Sequence, residues 1–291
     1  RCALYPPYVF WFRLVRLRVP PKMLVNGKQG NLISIRDRGL LYGDGVFRTL
    51  RASGGHALHW PLHYQKLRHD CTTLGIACPD SALLSAELNG LLDLHPDGVI
   101  KLIVTRGQGM RGYAPPARAE PTIIWDVSPL PDYPDDWATS GIRARLCQLR
   151  LGQQQHLAGI KHLNRLENVL AAGEWNDAGI AEGLLMDAAG NVISGTRSNL
   201  FLVSQGKLIT PDLSRCGVAG VQRDRVMAWA AKNSMPLQIR DISLDEVLRA
   251  DELFVVNSIM ILWPLRELEQ RRWTVFPVAR LIRQDIDGDN A

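Results

Sequence analysis

Apolar positions along the chain form two kinds of run, which predict strands alternating with helices. Short runs with alternating or continuous apolar residues are typical of strands and occupy 23–27, 98–106, 121–128, 141–150, 183–187, 199–204, 237–242 and 252–257. Runs with helical spacing occupy 61–75, 80–94, 163–178, 220–233, 244–249 and 277–286. The sequence has no internal repeat or low-complexity block, so we predict an α/β fold of the α+β type.

The segment SPLPDYPDDW, residues 128–137, is the strongest break in this pattern. Its prolines and aspartates are incompatible with a regular element, so we predict an N-terminal α/β domain over 23–130, a linker over 131–138 and a C-terminal domain over 139–291. Residues 1–22 begin without methionine, and arginines interrupt their apolar stretch. We interpret them as an extension or a non-native tail before Met23 rather than as a secretory signal.

Composition narrows the possible partners. Of the 291 residues, 46% are hydrophobic and 22% charged, which is typical of a globular chain. The tail holds five of the 34 basic residues and no acid, so the rest of the chain has 29 basic and 29 acidic residues. Because these charges balance, we expect no nucleic-acid partner. We also expect no membrane partner, since no segment approaches the roughly 18 uninterrupted apolar residues of a membrane span.

The five cysteines are scattered and odd in number. This pattern favours reduced thiols over a disulfide framework and predicts a cytoplasmic location. The histidines His56, His59 and His63 are close in sequence, but a proline and a Gly-rich turn interrupt their spacing. We therefore predict a surface cluster and no metal site, because metal ligands need matched geometry.

A Gly-rich loop at 107–112, GQGMRG, matches the glycine pattern of a dinucleotide-binding turn. The residues that follow, YAPPARAEP, cannot form the helix that such a site requires, so this interpretation fails. The loop region carries Arg106, Arg111 and Tyr113. These side chains could clamp a carboxylate or simply face water, and the local sequence leaves both possibilities open.

Lys161 lies in AGIKHLNRLENVLA, between an apolar strand ending and a predicted helix. Leu163, Leu166, Val169 and Leu170 follow it at helical spacing, which places the amine near a packed junction. A lysine at such a junction is either a snorkelling side chain or a chemical reagent.

Five turn-rich stretches, taken together and in order, resemble the fold-type IV pyridoxal-phosphate enzymes. They are SIRDRGLLYGDGVFRTLR (34–51), the Lys161 region, NVISGTRSNLF (191–201), CGVAGVQRD (216–224) and ELFVVNSI (252–259). This family includes branched-chain and D-amino-acid aminotransferases and the 4-amino-4-deoxychorismate lyases. RGQGMRGY and LAGIKHLNRLENVLA are most similar to the lyases, and the resemblance covers nearly all of 23–291.

The resemblance implies a smaller N-terminal α/β domain, a larger C-terminal cofactor-binding domain with a strand-rich core, and a homodimer with its site near the subunit interface. It also implies pyridoxal 5'-phosphate as cofactor and a role for each matched residue. Lys161 would bind the cofactor covalently and move the proton, while Arg51, Val221, Gln222 and Ser258 would hold its phosphate. Arg106 and Arg111, with Tyr113, would bind substrate carboxylates.

One residue departs from the family pattern. The family usually has a glutamate five residues before the Asn of NLF, bonded to the pyridine nitrogen, and this chain has Ser194 there. A hydroxyl need not keep that nitrogen protonated, which disfavours transamination more than the lyase reaction.

We therefore predict a lyase that converts 4-amino-4-deoxychorismate to 4-aminobenzoate and pyruvate, a step of folate biosynthesis. The alternatives are a D-amino-acid or branched-chain aminotransferase and a catalytically drifted paralogue that still binds the cofactor.

Overall fold

The computed structural model describes residues 23–288. The predicted tail, 1–22, and the last three residues lie outside that range. Within it the chain alternates strands and helices, as predicted, and builds two sheets with helices packed against them.

The first sheet has six antiparallel strands in the order β2-β1-β6-β5-β3-β4. The strands are β1 Met23–Val25, β2 Lys28–Gln29, β3 Gly45–Ser53, β4 His56–Ala57, β5 Gly98–Thr105 and β6 Thr122–Ser128. The helices of this region are α1 Arg38–Tyr42, α2 Trp60–Leu74 and α3 Ser81–Leu92. Helices α2 and α3 confirm the predictions over 61–75 and 80–94, and Gly75 ends α2 in the left-handed conformation (φ 64°).

Strand β3 buries one face in the core, and its other face forms one wall of the site. Val46, Leu50 and Ala52 are buried in the core beneath the helices, whereas Phe47 and Thr49 point to the opposite face because side chains alternate along a strand. The sequence pattern did not predict this strand. Its apolar alternation is broken by Arg48, which is buried on the core side and ion-paired with Asp70 of α2.

The second sheet has nine strands, with β12-β11-β10-β13-β14-β7-β8-β9 in order and β15 paired with β14. They are β7 Ile142–Leu151, β8 Ile180–Asp187, β9 Val192–Gly195, β10 Asn199–Ser204, β11 Lys207–Pro211, β12 Leu237–Arg240, β13 Glu252–Asn257, β14 Ile261–Leu268 and β15 Arg271–Arg272. The helices are α4 Trp137–Ser140, α5 Leu166–Ala172, α6 Val221–Lys232, α7 Leu244–Arg249 and α8 Pro277–Gly288. Strands β10, β13 and β14 form the centre of a large apolar core beneath α6 and α8.

Helix α5 is shorter than the predicted helix over 163–178, because it begins at Leu166 and ends before Gly173. Residues 159–165 therefore lie outside the helix, in an irregular segment that carries Lys161. The first sheet ends at Ser128 and the second begins at Ile142, while the exact domain and linker bounds stay a prediction. Within 23–288, none of the helices is long and apolar enough to cross a membrane.

Candidate active site

A cavity of about 750 Å³ lies between the two sheets and is lined by residues of both. Five of the site residues predicted from the sequence line it: Lys161, Ser194, Val221, Gln222 and Ser258. Four others do not line it in the single chain: Arg51, Arg106, Arg111 and Tyr113. The fold thus brings together residues that are nearly 100 positions apart in sequence.

The backbone around Lys161 is hydrogen-bonded to strand β3 on one side and to the turn before helix α6 on the other. On one side Phe47 N donates to Lys161 O at 2.9 Å, which ties the segment to β3. On the other side Gly159 N donates to Gly217 O at 3.0 Å, in the turn before α6. Gly159 has φ 78°, a conformation that favours glycine, so this residue allows the chain to bend between its two partners.

The Lys161 side chain has a strongly altered acidity. Burial, followed by repulsion from Arg48, Arg165 and Lys101, lowers the pKa of Lys161 to about 7, against a weaker opposing effect of Asp70. The Nζ atom lies over the Phe47 ring, 4.3 Å from its centroid. A neutral amine is therefore available near neutral pH, which is the form that acts as nucleophile and base.

The buried ion pair Arg48–Asp70 holds the backbone of Lys161 in position. Asp70 Oδ2 accepts a hydrogen bond from the backbone N–H of Lys161 at 2.8 Å while it pairs with the Arg48 guanidinium. Both side chains are almost completely buried. Neither residue was identified from the sequence, because the contact joins β3, α2 and the Lys161 segment, which are distant along the chain.

The part of the cavity wall around the start of helix α6, called the anion end, is suited to receive an anion. Helix α6 begins there at Val221, with Gly220 as its N-cap and no side-chain cap, so the first N–H groups of the helix are open to a ligand. Gly220 itself admits no side chain, because a Cβ atom would lie 2.5 Å from Asn199 Oδ1. The close approach keeps the helix start next to β10.

Ser258 and His63 lie at this anion end. Ser258 Oγ is 3.5 Å from His63 Nε2, and His63 Nδ1 is buried without a hydrogen-bond partner in the described residues. Burial, with repulsion from Arg48, lowers the pKa of His63 to about 3, so the ring is neutral. The predicted surface cluster of histidines is therefore wrong for His63, which faces the cavity from α2.

Arg51 lies farther along β3, on the same face as Phe47 and Thr49. Its Nε atom is buried and has no hydrogen-bond partner in the described residues. A buried guanidinium donor without an acceptor suits an anionic ligand, and its role as a phosphate ligand stays a prediction.

Ser194 is on β9, is 7% exposed and lines the cavity. The nearby carboxylate of Glu182 does not replace the missing glutamate, because its oxygens are already occupied. They accept from Thr196 N and Oγ1 and from Ser198 Oγ, at 2.5 to 3.0 Å. Glu182 therefore fixes the 195–198 turn and leaves Ser194 as the polar group at this position.

Arg106 is engaged elsewhere. It donates to both oxygens of Asp44, at 2.8 and 3.0 Å, and to the carbonyls of Leu74 and Gly75. Although burial acts to raise it, hydrogen bonds from Arg106 and Arg38 hold the pKa of Asp44 below its ordinary value. A role for Arg106 in binding substrate stays a prediction that the single chain does not test.

Arg111 and Tyr113 are exposed, and Tyr113 is 85% accessible. Their loop is held in place by the buried Arg38, which donates to the carbonyls of Gly112 and Tyr113 at 3.0 and 2.8 Å. The loop is thus positioned at the surface, and its contact with substrate also stays a prediction.

Arg165 and Arg197 line the cavity, although the sequence patterns did not identify them. Both stand inside quoted stretches: Arg165 follows Lys161 by four residues and Arg197 follows Ser194 by three. Cationic residues next to predicted site residues are the signal that would have found them.

The cavity fits the cofactor implied by the resemblance. It combines an amine of lowered pKa, an uncapped helix N-terminus, the hydroxyls of Ser194 and Ser258, and the buried Nδ1 atom of His63, which has no partner in the described residues. A phosphate would satisfy the donors at one end, and an aldehyde would reach Lys161 at the other. In the described residues no group of three or more metal-ligating side chains is found.

Comparisons with known proteins agree with this geometry. The sequence profile of the amino-transferase class IV family matches residues 45–268. An aminodeoxychorismate lyase from Vibrio harveyi is 33% identical over 262 residues, covering 89% of this chain and 96% of that protein. A putative branched-chain-amino-acid aminotransferase from Methanocaldococcus jannaschii is also 33% identical over 262 residues, covering 86% and 88% of the two chains. The crystal structure of a 4-amino-4-deoxychorismate lyase from Pseudomonas aeruginosa superposes with a TM-score of 0.89 at 46% identity, covering 92% of this chain and 98% of that chain.

Proposed function

This chain belongs to the amino-transferase class IV family, and we propose that it is a pyridoxal-phosphate-dependent carbon–oxygen lyase that converts 4-amino-4-deoxychorismate to 4-aminobenzoate and pyruvate. The observation that carries the proposal is Lys161, an amine of lowered pKa in the same cavity as the uncapped N-terminus of helix α6, which suits an anion. The identity of 46% to a lyase of known structure supports this reaction over others of the family.

Residues of this chain would hold the cofactor at both ends. Lys161 would bind it covalently through Nζ, and the N–H groups of Val221 and Gln222, together with Ser258 and Arg51, would bind its phosphate. Ser194 would hydrogen-bond the pyridine nitrogen. When bound, pyridoxal phosphate supplies an electron-withdrawing ring that stabilises negative charge at the carbon bearing the substrate amine.

Lys161 carries the proton transfers. With the cofactor bound, Lys161 Nζ would take the proton from the amine-bearing ring carbon of the substrate. The electrons of that C–H bond expel the enolpyruvyl oxygen, which breaks the carbon–oxygen bond and makes the ring aromatic. The enolpyruvate then gains a proton at its methylene carbon, from Lys161 Nζ, to become pyruvate.

Ser194 supports a lyase over an aminotransferase. A carboxylate at this position would keep the pyridine nitrogen protonated and strengthen the electron withdrawal that transamination requires. In the lyase reaction, aromatisation of the substrate ring supplies driving force, so a neutral hydroxyl suffices. An aminotransferase would transfer the amino group to a 2-oxo acid, and a drifted paralogue would bind the cofactor without catalysing either reaction.

The test is incubation of the purified protein with 4-amino-4-deoxychorismate while 4-aminobenzoate and pyruvate are measured. Equal amounts of the two products support the proposal. Amino transfer to a 2-oxo acid without 4-aminobenzoate would identify an aminotransferase, and a yellow protein without turnover would identify a drifted paralogue.

A homodimer is part of the proposal. Leu166, Val169 and Leu170 form an exposed apolar face of α5 at helical spacing, with accessibilities of 75%, 62% and 63%. Apolar faces of this kind usually bind another surface. Since Leu166 also lines the cavity, a second copy seated there would bring the subunit interface to the site. A fully active monomer in sedimentation at micromolar concentration would contradict the dimer.

A cytoplasmic location completes the proposal. The four cysteines of the described residues are all free thiols: Cys71, Cys78, Cys147 and Cys216. Reduced thiols suit a reducing compartment.

A further inference from the structure

Three arginines line the cavity, and they differ in what they already bind. Arg48 is neutralised by the buried carboxylate of Asp70. Arg165 and Arg197 form no ion pair with any carboxylate in residues 23–288. They are therefore the two arginines of the cavity wall whose charge is available to a ligand.

Arg165 lies at the Lys161 end. Its Nε atom donates to the carbonyl of His162 at 2.9 Å, which leaves its two terminal nitrogens without acceptors in the described chain. Its charge acts on Lys161, where it is the second-largest charge effect lowering the pKa. Burial also lowers the pKa of Arg165 itself, as expected for a guanidinium that water solvates poorly.

Arg197 lies on the turn after Ser194. One terminal nitrogen donates to the carbonyl of Ala181 at 2.7 Å, and the guanidinium is 5.9 Å from the centre of the Tyr133 ring. The neighbouring residues Thr196 and Ser198 are both held by Glu182, so the turn is fixed. Arg197 and Tyr133 also border a second cavity of about 450 Å³, so they stand where the two spaces meet.

We propose that Arg165 and Arg197 bind the two substrate carboxylates in place of Arg106 and Arg111, which do not line the cavity. Arg165 binds the enolpyruvyl carboxylate and Arg197 binds the carboxylate on the ring, an inference that rests on the proposed lyase function. The substrate has two carboxylates at different distances from its amine. The enolpyruvyl ether is on the carbon next to the amine-bearing carbon, whereas the ring carboxylate is opposite the amine. Arg165 is among the main charges that act on Lys161, whereas Arg197 is not, so with the amine at Lys161 we assign the nearer carboxylate to Arg165 and the farther one to Arg197.

Guanidinium groups suit this task because each can donate two parallel hydrogen bonds to a carboxylate. Arg165 is half-buried, which strengthens such a contact relative to one at the surface, whereas Arg197 is exposed and depends on the turn that Glu182 holds in place. The two arginines would fix the direction of the ring and therefore which carbon presents its proton to Lys161.

The products separate the two assignments, because 4-aminobenzoate keeps only the ring carboxylate. Its affinity for the cofactor-loaded protein is measured by calorimetry in the wild type, Arg197→Gln and Arg165→Gln. We expect the dissociation constant to rise about tenfold or more in Arg197→Gln, as for a lost charge-assisted contact, and to stay within about twofold in Arg165→Gln. Arg249→Gln is the matched control, since Arg249 is an exposed residue of α7.

A neutral ligand checks that charge is the cause. 4-Aminobenzamide lacks the carboxylate, so Arg197→Gln should change its affinity by less than about twofold. With 4-amino-4-deoxychorismate, KM should rise about tenfold in both variants, and Arg165→Lys should recover part of the loss.

Unchanged affinity for 4-aminobenzoate in Arg197→Gln, or an equal loss in Arg165→Gln, would overturn the assignment. So would an equal loss of affinity for the neutral amide. Because the wild type is assayed for turnover in the same series, failure of the lyase proposal is seen separately: it would appear as no 4-aminobenzoate from the wild type.

Discussion

Two groups of arginines in this protein contrast in what their guanidinium groups bind. In the first, Arg38 and Arg106 share Asp44 and donate to backbone carbonyls of α2 and of the 107–113 loop. In the second, Arg165 and Arg197 line the cavity and lack a carboxylate partner in the described chain. The first group holds segments together, whereas the second keeps its hydrogen-bonding capacity for a ligand.

The contrast teaches that the function of an arginine depends on the acceptors that the fold provides for it. Arg106 stands in a motif that resembles a substrate-binding loop, yet its donors are used within the protein. Arg197 lies between β9 and β10, in the stretch 191–201, where only Ser194 was predicted from the sequence as a site residue. Substitutions in the two regions should therefore differ in whether they change activity or stability.

Replacement of the reactive amine should have the largest effect. Lys161→Ala should reduce 4-aminobenzoate formation by about four orders of magnitude, because one side chain both holds the cofactor and moves the proton. Lys207→Ala, at an exposed position of β11, is the control and should retain wild-type turnover. Borohydride reduction followed by peptide mapping should label Lys161, and a label on Lys101 or Lys207 would disprove the assignment.

The acidity of Lys161 should be visible in cofactor binding. If its pKa is about 7, the rate at which the cofactor-free protein takes up pyridoxal phosphate should rise with pH to a midpoint near 7. The sign follows because only the unprotonated amine reacts, and at pH 7 this form is about a thousandfold more abundant than for an ordinary lysine. Stopped-flow absorbance gives the rate, with N-acetyl-lysine as the reference for titration of the cofactor itself. A midpoint above about 9 would contradict the lowered pKa.

The structural group should respond in stability. Arg106→Gln removes one cation from the ion pair with Asp44 and four hydrogen bonds, so the free energy of unfolding should fall by about 3 kcal/mol. Urea unfolding of the cofactor-free protein measures this change, and Arg111→Gln, on the exposed part of the loop, should be nearly neutral. A variant with normal stability and a raised KM would show instead that Arg106 is a substrate ligand.

Ser194 should give the smallest effect. Ser194→Glu supplies the carboxylate found in most of the family, so side transamination of simple amino acids should increase while lyase turnover stays within about tenfold, a barrier change of roughly 1.4 kcal/mol. Both rates are measured on the same preparation. A wild type that already transaminates briskly, with a Glu variant that gains only lyase activity, would reverse our interpretation of this residue.

Long periodic segments were predictable from sequence. Helices α2, α3, α6, α7 and α8 lie within two residues of their predicted bounds, because apolar spacing and the terminal Asp80, Gly75 and Ser243 act locally. Strand β3 was not predictable, since Arg48 interrupts its apolar face and is tolerated only because Asp70 meets it from another element. Helix α5 was predicted too long at both ends: the backbone N–H of Leu163 donates to Gly45 of β3, outside the helix, and the helix ends before Gly173.

Local spacing and short motifs were sufficient to predict the mixed fold and the family, and they also select Lys161 as the candidate reactive residue, whose role stays a prediction. Only the tertiary structure decided which polar side chains are free. The state of Arg106 depends on Asp44, 62 residues away, and that of Glu182 on Thr196 and Ser198, while His63 is buried against Ser258 from the other sheet. Hydrogen-bond acceptors and desolvation are supplied across the fold, so the availability of a charge to a ligand is a property of the folded molecule.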